Sequence, residues 1–518
     1  MKEKADLILR CDRIFTGNLE DGLIDGFVAV RGNRILAVDE WMPHSEFLDE
    51  KTHIYDLRGK TITPGYVDNH VFFIGYVWQH IGVDTSGATD ESSLKDILTD
   101  YEKRLAPGEP LLGHGLDDDL ELSGDLLERV FPGRAAVVFR ESREACLMNQ
   151  KSKERYGFEE DRCYAEACWR LFRELMADKA YAKEQYLAFQ NMLAGRGITG
   201  IKEIGFDDYY GFTDVLKEME DSGELKHRVY LVSQPVGGDV DIPYGERMRE
   251  FFQGSCVKFM GYNIMVDGDI ESGEGDILGG YPEEEGLPPC TPPDYGKIRD
   301  SVEKADKRGF RCALHAEGDR AVRKAIDILE GCRKENGARD ARHAVIDMEL
   351  VDPADIRRMK ENDITAINYV QIMSCYPKYE EYYGLRYFSE ERQKDIWPYR
   401  SLKDAGVTLC WGTDLPLDVP DIPLSVCYAA ERKFPNSMPE QGFNMKESIT
   451  PAEVLEGWTK NGQKANFAED ILGTLEPGKL ADIAVIDGDI LGTEGRVRKE
   501  LKVCLTVFDG KVVYDGRE

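Results

Sequence analysis

The stretch Thr61-Ile-Thr-Pro-Gly-Tyr-Val-Asp-Asn-His-Val-Phe-Phe73 decides the fold. Its first residues alternate and then run apolar, the pattern of an extended strand, and Pro64-Gly65 breaks only the entry. The strand closes on Asp68-Asn69-His70, a polar cluster where a barrel strand would open into its active-site loop. Upstream, Ala5–Arg10, Phe27–Arg31 and Arg34–Val38 read as strands, with Gly32-Asn33 as a hairpin turn, and His53–Gly59 continues the pattern. At the far end, Asp482–Asp487, Lys502–Phe508 and Lys511–Asp515 are strand-like too. Two β-rich ends around an alternating middle predict one composite sandwich, residues 1–60 with residues 463–518. Between them, residues 61–462 alternate strand-like and helix-like segments, which predicts a parallel barrel with outer helices. The helical stretches are Ser92–Arg104, Tyr164–Gly195, Ile298–Gly309 and Ala321–Asn336. Residues from about 107 to 156 fit the period poorly and are expected as an insertion over the barrel mouth.

Apolar residues make up 42% of the 518-residue chain and charged residues 31%, a balance that suits a large folded core. The formal charge of −31 repels nucleic acid and anionic membrane surfaces, so neither is an expected partner. No apolar run of signal-peptide or membrane-span length follows Met1-Lys-Glu-Lys, and the expectation is a cytoplasmic protein. The twelve cysteines show no metal-binding spacing and most are expected as buried or inert thiols. No phosphate cradle or dinucleotide fingerprint is present, so no organic cofactor is implied.

Several segments resemble the amidohydrolase superfamily, and within it the branch of N-substituted formamide deformylases. The opening strand matches Pro-Gly-Phe-Ile-Asp-x-His-x-His through His70. Arg311-Cys-Ala-Leu-His-Ala-Glu-Gly-Asp-Arg-Ala-Val322 resembles the fifth-strand motif, whose histidine is a metal ligand, here His315. Val407-Thr-Leu-Cys-Trp-Gly-Thr-Asp-Leu-Pro416 resembles the last strand, whose aspartate, here Asp414, binds metal and takes the proton of the attacking water. Leu472-Gly-Thr-Leu-Glu-Pro-Gly-Lys-Leu-Ala-Asp-Ile-Ala-Val485 resembles the return from barrel to sandwich. The resemblance implies a (β/α)8 barrel carrying the small β-sandwich, a small-molecule substrate, and a homodimer or larger homo-oligomer.

The departures are chemical. Phe72 stands at the second histidine, Asp347 at the sixth-strand histidine, and Asn263 at the lysine whose carbamate bridges two metals. An asparagine forms no carbamate, and two adjacent ions need bridging anions. One divalent ion, zinc or manganese, held by His70, His315, Asp347 and Asp414 is the expected occupancy, with no metal as the other reading. Lys202 and Glu203, in what is read as the third strand, point to opposite faces, and one of them is expected in the barrel interior, as a catalytic group or as half of a structural ion pair. Phe72, His114, Asn263 and Glu144 are the expected substrate-binding residues. The resemblance implies hydrolysis of an amide, lactam or imide C–N bond; ring opening of a cyclic 1,3-diketone by C–C cleavage and a non-catalytic scaffold are the other readings.

Overall fold

The computed structural model describes residues 3–40, 44–141, 145–157, 165–206, 212–235, 238–287, 290–492 and 495–517. Its centre is an eight-stranded parallel sheet taken in chain order: β1 (Tyr66–Val71), β2 (Ile198–Gly205), β3 (Arg228–Ser233), β4 (Val257–Met265), β5 (Arg311–Ala316), β6 (Ala344–Asp347), β7 (Thr365–Tyr369) and β8 (Leu409–Gly412). The sheet closes on itself where Val71 pairs with Leu415 and the Asp414 N–H donates to the His70 carbonyl at 2.8 Å. The strands are buried on both faces, as a helix-covered parallel sheet requires. This is a (β/α)8 barrel.

A second sheet joins both ends of the chain. Ile483–Ile486 pairs antiparallel with Thr61–Pro64, which also touches Ile14 in parallel register. Thr61–Pro64 therefore belongs to the terminal sheet, and the barrel begins past Gly65, where an added Cβ would meet Thr199 within 2.2 Å of its hydroxyl. The tight passage needs glycine because the first barrel strand turns away there against β2.

The segment between β1 and β2 carries its own four-stranded sheet, made of Val83–Asp84, Leu111–Leu116, Ala136–Arg140 and Cys146–Met148. Its core includes Leu94 and Leu98, so the helix Glu91–Glu102 packs in this unit and not on the barrel. The strand holding Lys202 and Glu203 is accordingly the second of the barrel and not the third, because none of the intervening strands joins the barrel. The long helix expected up to Gly195 breaks before Asp178, whose carboxylate caps Lys179–Gly195 through Ala180 and Tyr181. Among the described residues nine cysteines are free thiols, whereas Cys146 is disulfide-bonded, a pairing that spacing alone does not reveal. Among the described residues no helix is long and apolar enough to cross a membrane.

Candidate active site

The site grows from the C-terminal ends of β1, β5, β6, β7 and β8, the end of the barrel where side chains leave the strands for the loops. At β1, Asp68 is fully buried; one carboxylate oxygen accepts the N–H groups of His70 and Thr413 at 3.1 Å each, and the other accepts the Thr413 hydroxyl at 2.5 Å. Asp68 thus ties β8 to β1 and aims His70. Burial pushes its carboxyl up to about 7 despite these bonds.

Two imidazole–carboxylate pairs stand above it. His70 Nε2 lies 3.3 Å from Asp414 Oδ1, and His315 Nε2 lies 3.5 Å from Asp347 Oδ2. Both aspartates hold positive φ, 52° at Asp414 and 72° at Asp347. That backbone costs a non-glycine residue about 1–2 kcal/mol, so the surrounding bonds hold both carboxylates in place against strain. Burial brings the His315 imidazole down to about 4, with His70 adding to the fall and Asp414 opposing it. His315 is neutral near pH 7 and has a lone pair to offer.

The four residues expected to hold one ion arrive as these two pairs, with the His70 and His315 rings 6.3 Å apart between centroids. Among the described residues, the ligand-competent side chains whose atoms all lie within 4.8 Å of one another are His315, Glu317 and Asp347. Glu317 is the residue that sequence reading passed over, in the variable position of His315-Ala-Glu-Gly. Its Oε2 accepts the Ile270 N–H at 2.9 Å, and it shares a hydrogen bond with Asp347. Burial raises both carboxyls well above the usual range, and the charge of Asp347 adds to the rise at Glu317.

More carboxylates surround this group. Asp267 accepts from the N–H groups of Asp276, Glu317 and Gly318 at 2.8–3.1 Å, and Glu349 accepts from the hydroxyls of Tyr382 and Tyr383 at 2.6 and 2.5 Å. Burial lifts each to about 7. Among the described residues, no lysine or arginine forms a salt bridge with Asp68, Asp267, Glu317, Asp347, Glu349 or Asp414. Buried Nδ1 atoms of His70 and His315 and the buried Tyr369 hydroxyl have no hydrogen-bond partner. The Tyr369 ring lies 5.4 Å from His70 and 6.1 Å from His315. A divalent cation fits this donor set: excess buried carboxylate, neutral imidazole, and imidazole–carboxylate separations near the edge of about 3.3–3.4 Å that a tetrahedral ion with bonds of about 2.0–2.1 Å imposes.

The other expected site residues scatter. Phe72 packs edge-on against His70 at 5.4 Å and stacks on Phe206 at 5.6 Å, an apolar wall beside the first pair. Asn263 donates to Gln234 Oε1 at 2.6 Å, and its own Oδ1 is buried without a partner. Both carboxylate oxygens of Glu203 accept the Phe73 N–H, at 2.9 and 3.1 Å. They supply the cap that Phe72, an N-cap without a polar side chain, withholds from helix α1 (Phe73–His80). Glu203 is therefore occupied in holding α1. Lys202 is fully buried and reaches Asn69 Oδ1 at 3.4 Å, away from the carboxylates. His114 donates through Nδ1 to the Ile81 carbonyl at 2.9 Å and lines a cleft of about 570 Å³ with His80, Trp78 and Phe139, none of them in the carboxylate cluster. Glu144 lies outside the described residues.

This layout defines a (β/α)8 hydrolase with its chemistry at the strand ends. The chain belongs to the amidohydrolase family, whose sequence model matches residues 53–514. A putative amidohydrolase, YtcJ, of Bacillus subtilis (strain 168) is 23% identical over 496 residues, covering 90% of this chain and 91% of that protein. An N-substituted formamide deformylase of Arthrobacter pascens is 24% identical over 219 residues, 42% of this chain and 39% of its own. The crystal structure of an uncharacterized metal-dependent hydrolase from Pyrococcus horikoshii OT3 shares the fold at a TM-score of 0.76 and 18% identity, covering 95% of this chain and 99% of that one.

Proposed function

We propose that the mouth of the barrel hydrolyses the C–N bond of a small amide, lactam or imide. The observation that carries the reading is the meeting of His315, Glu317 and Asp347 within 4.8 Å of one another, with the His70–Asp414 pair beside them at the ends of two further strands. His70, His315, Asp347 and Asp414, with Glu317 beside Asp347, would hold one zinc or manganese ion. Such an ion, when bound, supplies Lewis-acid polarisation and a more acidic water. Asp414 takes the proton of the attacking water, since its carboxylate is 27% exposed and lies against His70. Tyr369 offers its unpartnered hydroxyl to the substrate oxygen or to the departing nitrogen. Phe72 and Phe206 give the substrate an apolar wall. A relative named for deformylation of N-substituted formamides supports the acyl–nitrogen class.

The test is prolonged chelation of the purified chain, with elemental analysis, against a panel of amides, lactams and imides. Activity should vanish with the metal and return with zinc or manganese, because the ligands bind reversibly once deprotonated. Full turnover by protein verified as metal-free would discard this mechanism and bring forward hydrolytic ring opening of a cyclic 1,3-diketone.

A further inference from the structure

The opposite end of the barrel is closed by helix α2 (Lys460–Lys464) and the turn after it. Tyr230 donates to Gln463 Oε1 at 2.7 Å, Asn461 to the Leu409 carbonyl at 3.1 Å, and Asn466 to Asn69 Oδ1 at 2.8 Å. Two basic side chains are sealed beneath this plug. Lys202 is 0% exposed and Arg311, at the start of β5, is 2% exposed. Arg311 uses Nη1 to reach the Ala465 carbonyl at 2.8 Å, while its Nε and Nη2 are buried without any partner. Lys202 makes one long bond, to an Asn69 oxygen already taken by Asn466.

Neither side chain forms a salt bridge among the described residues, and burial brings the Lys202 amine well below the usual lysine range, with the Arg311 charge adding to the fall and Cys410 opposing it. A buried charge is ordinarily paired, because burial strips its water and only an opposite charge restores the loss. Cys410 is not that partner: burial pushes its thiol up to about 11, so it is neutral at pH 7. Arg311, held down to about 10 by burial, is still a guanidinium there.

We propose that Lys202 and Arg311 bind a monatomic anion, chloride, at the floor of the barrel. The unpartnered Nε and Nη2 of Arg311 and the spare Lys202 N–H groups are its donors. The enclosure favours a single atom over an oxyanion, whose several oxygens would each need a further donor in a sealed site. Bound there, the anion ties β2 and β5 to the plug. It is distinct from the mouth and needs no metal.

The experiment measures thermal unfolding of the unaltered chain in chloride-free sodium gluconate, with sodium chloride exchanged in at constant ionic strength. A saturable rise in Tm of a few degrees, on the order expected for a ligand that binds only the folded state, is the expected result. Lys202→Met should lose the saturable part. A bromide-soaked crystal of the unaltered chain should show an anomalous peak between Lys202 Nζ and the Arg311 guanidinium, and this measurement decides alone should Lys202→Met fail to fold. A Tm indifferent to halide overturns the proposal, and so does a bromide map without that peak.

Discussion

The two ends of one barrel gather opposite kinds of ionisable side chain. At the mouth, Asp68, Glu317, Asp347, Glu349 and Asp414 gather without a lysine or arginine salt bridge among the described residues. At the floor, Lys202 and Arg311 are buried with no carboxylate against them. Pairing the two sets would have been the economical arrangement, since buried like charges raise each other's cost. Their separation along the barrel axis is what the proposed cation at the mouth and the proposed chloride at the floor would each answer. The mouth is strained at Asp347 and Asp414 and rich in carboxylates and imidazoles. The floor is dry and held by fixed hydrogen bonds to the plug.

The largest effect should come from breaking the mouth at Asp414. Asp414→Asn is nearly isosteric and keeps the N–H bond to the His70 carbonyl, so the fold should survive. The amide cannot take a proton from water, and loss of one positioned base lowers turnover by roughly 10²–10⁴-fold. Steady-state rates with any amide the unaltered chain hydrolyses provide the measurement. A variant within a few-fold of the parent would remove Asp414 from the mechanism.

How much of this was legible in the sequence follows the same division. The barrel and its two-ended sandwich could be read because strand and helix periods and the Pro64-Gly65 break are local signals. His70, His315 and Asp414 stood out as candidates because each ends a patterned strand. Glu317 and Tyr369 could not, since nothing local distinguishes a carboxylate that will face Asp347 from one that will face water. The only hint was a polar residue closing an apolar strand, as in Ala366-Ile-Asn-Tyr369. Lys202 and Glu203 failed for a related reason. Alternation says that they point apart, but not that Glu203 will cap α1 or that Lys202 will sit low beside Arg311. The boundary of the inserted unit was missed because the amphipathic helix Glu91–Glu102 would suit either core, and Leu94 and Leu98 go to the smaller one.

A second, smaller effect sharpens the contrast between the ends. Asp347→Ala removes a mouth carboxylate beside His315 and should lower the metal content of the purified protein by about 10-fold or more at limiting metal, the order seen when a supporting ligand contact is lost. Lys202→Met alters only the floor and should leave metal content unchanged. Elemental analysis of the two variants, purified side by side without chelator, separates the outcomes. Equal loss in both would mean that the ends are coupled and that the division drawn between them is wrong.

The smallest effect concerns stability at the mouth, in protein stripped of metal. Burial raises the Glu349 carboxyl from its ordinary 4.5 to about 7, although two tyrosine hydroxyls partly oppose the rise. The folded chain therefore keeps this proton after the unfolded chain has released it. The stabilisation is complete below about pH 4.5, declines as pH rises, and is gone above about 7. Glu349→Gln cannot titrate, so its stability has no such slope from this position. The difference between the parent and Glu349→Gln, measured by urea unfolding at fixed pH values, should move against the parent by on the order of 3 kcal/mol from acid to neutral pH. The burial of His315 acts in the reverse direction, destabilising the fold as pH falls from 6.5 through about 4, but it is common to both proteins and cancels in the difference. A difference that stays flat across the window would show that Glu349 is ionised in the folded chain, and the excess of buried acid at the mouth would then need a cation even without a bound metal.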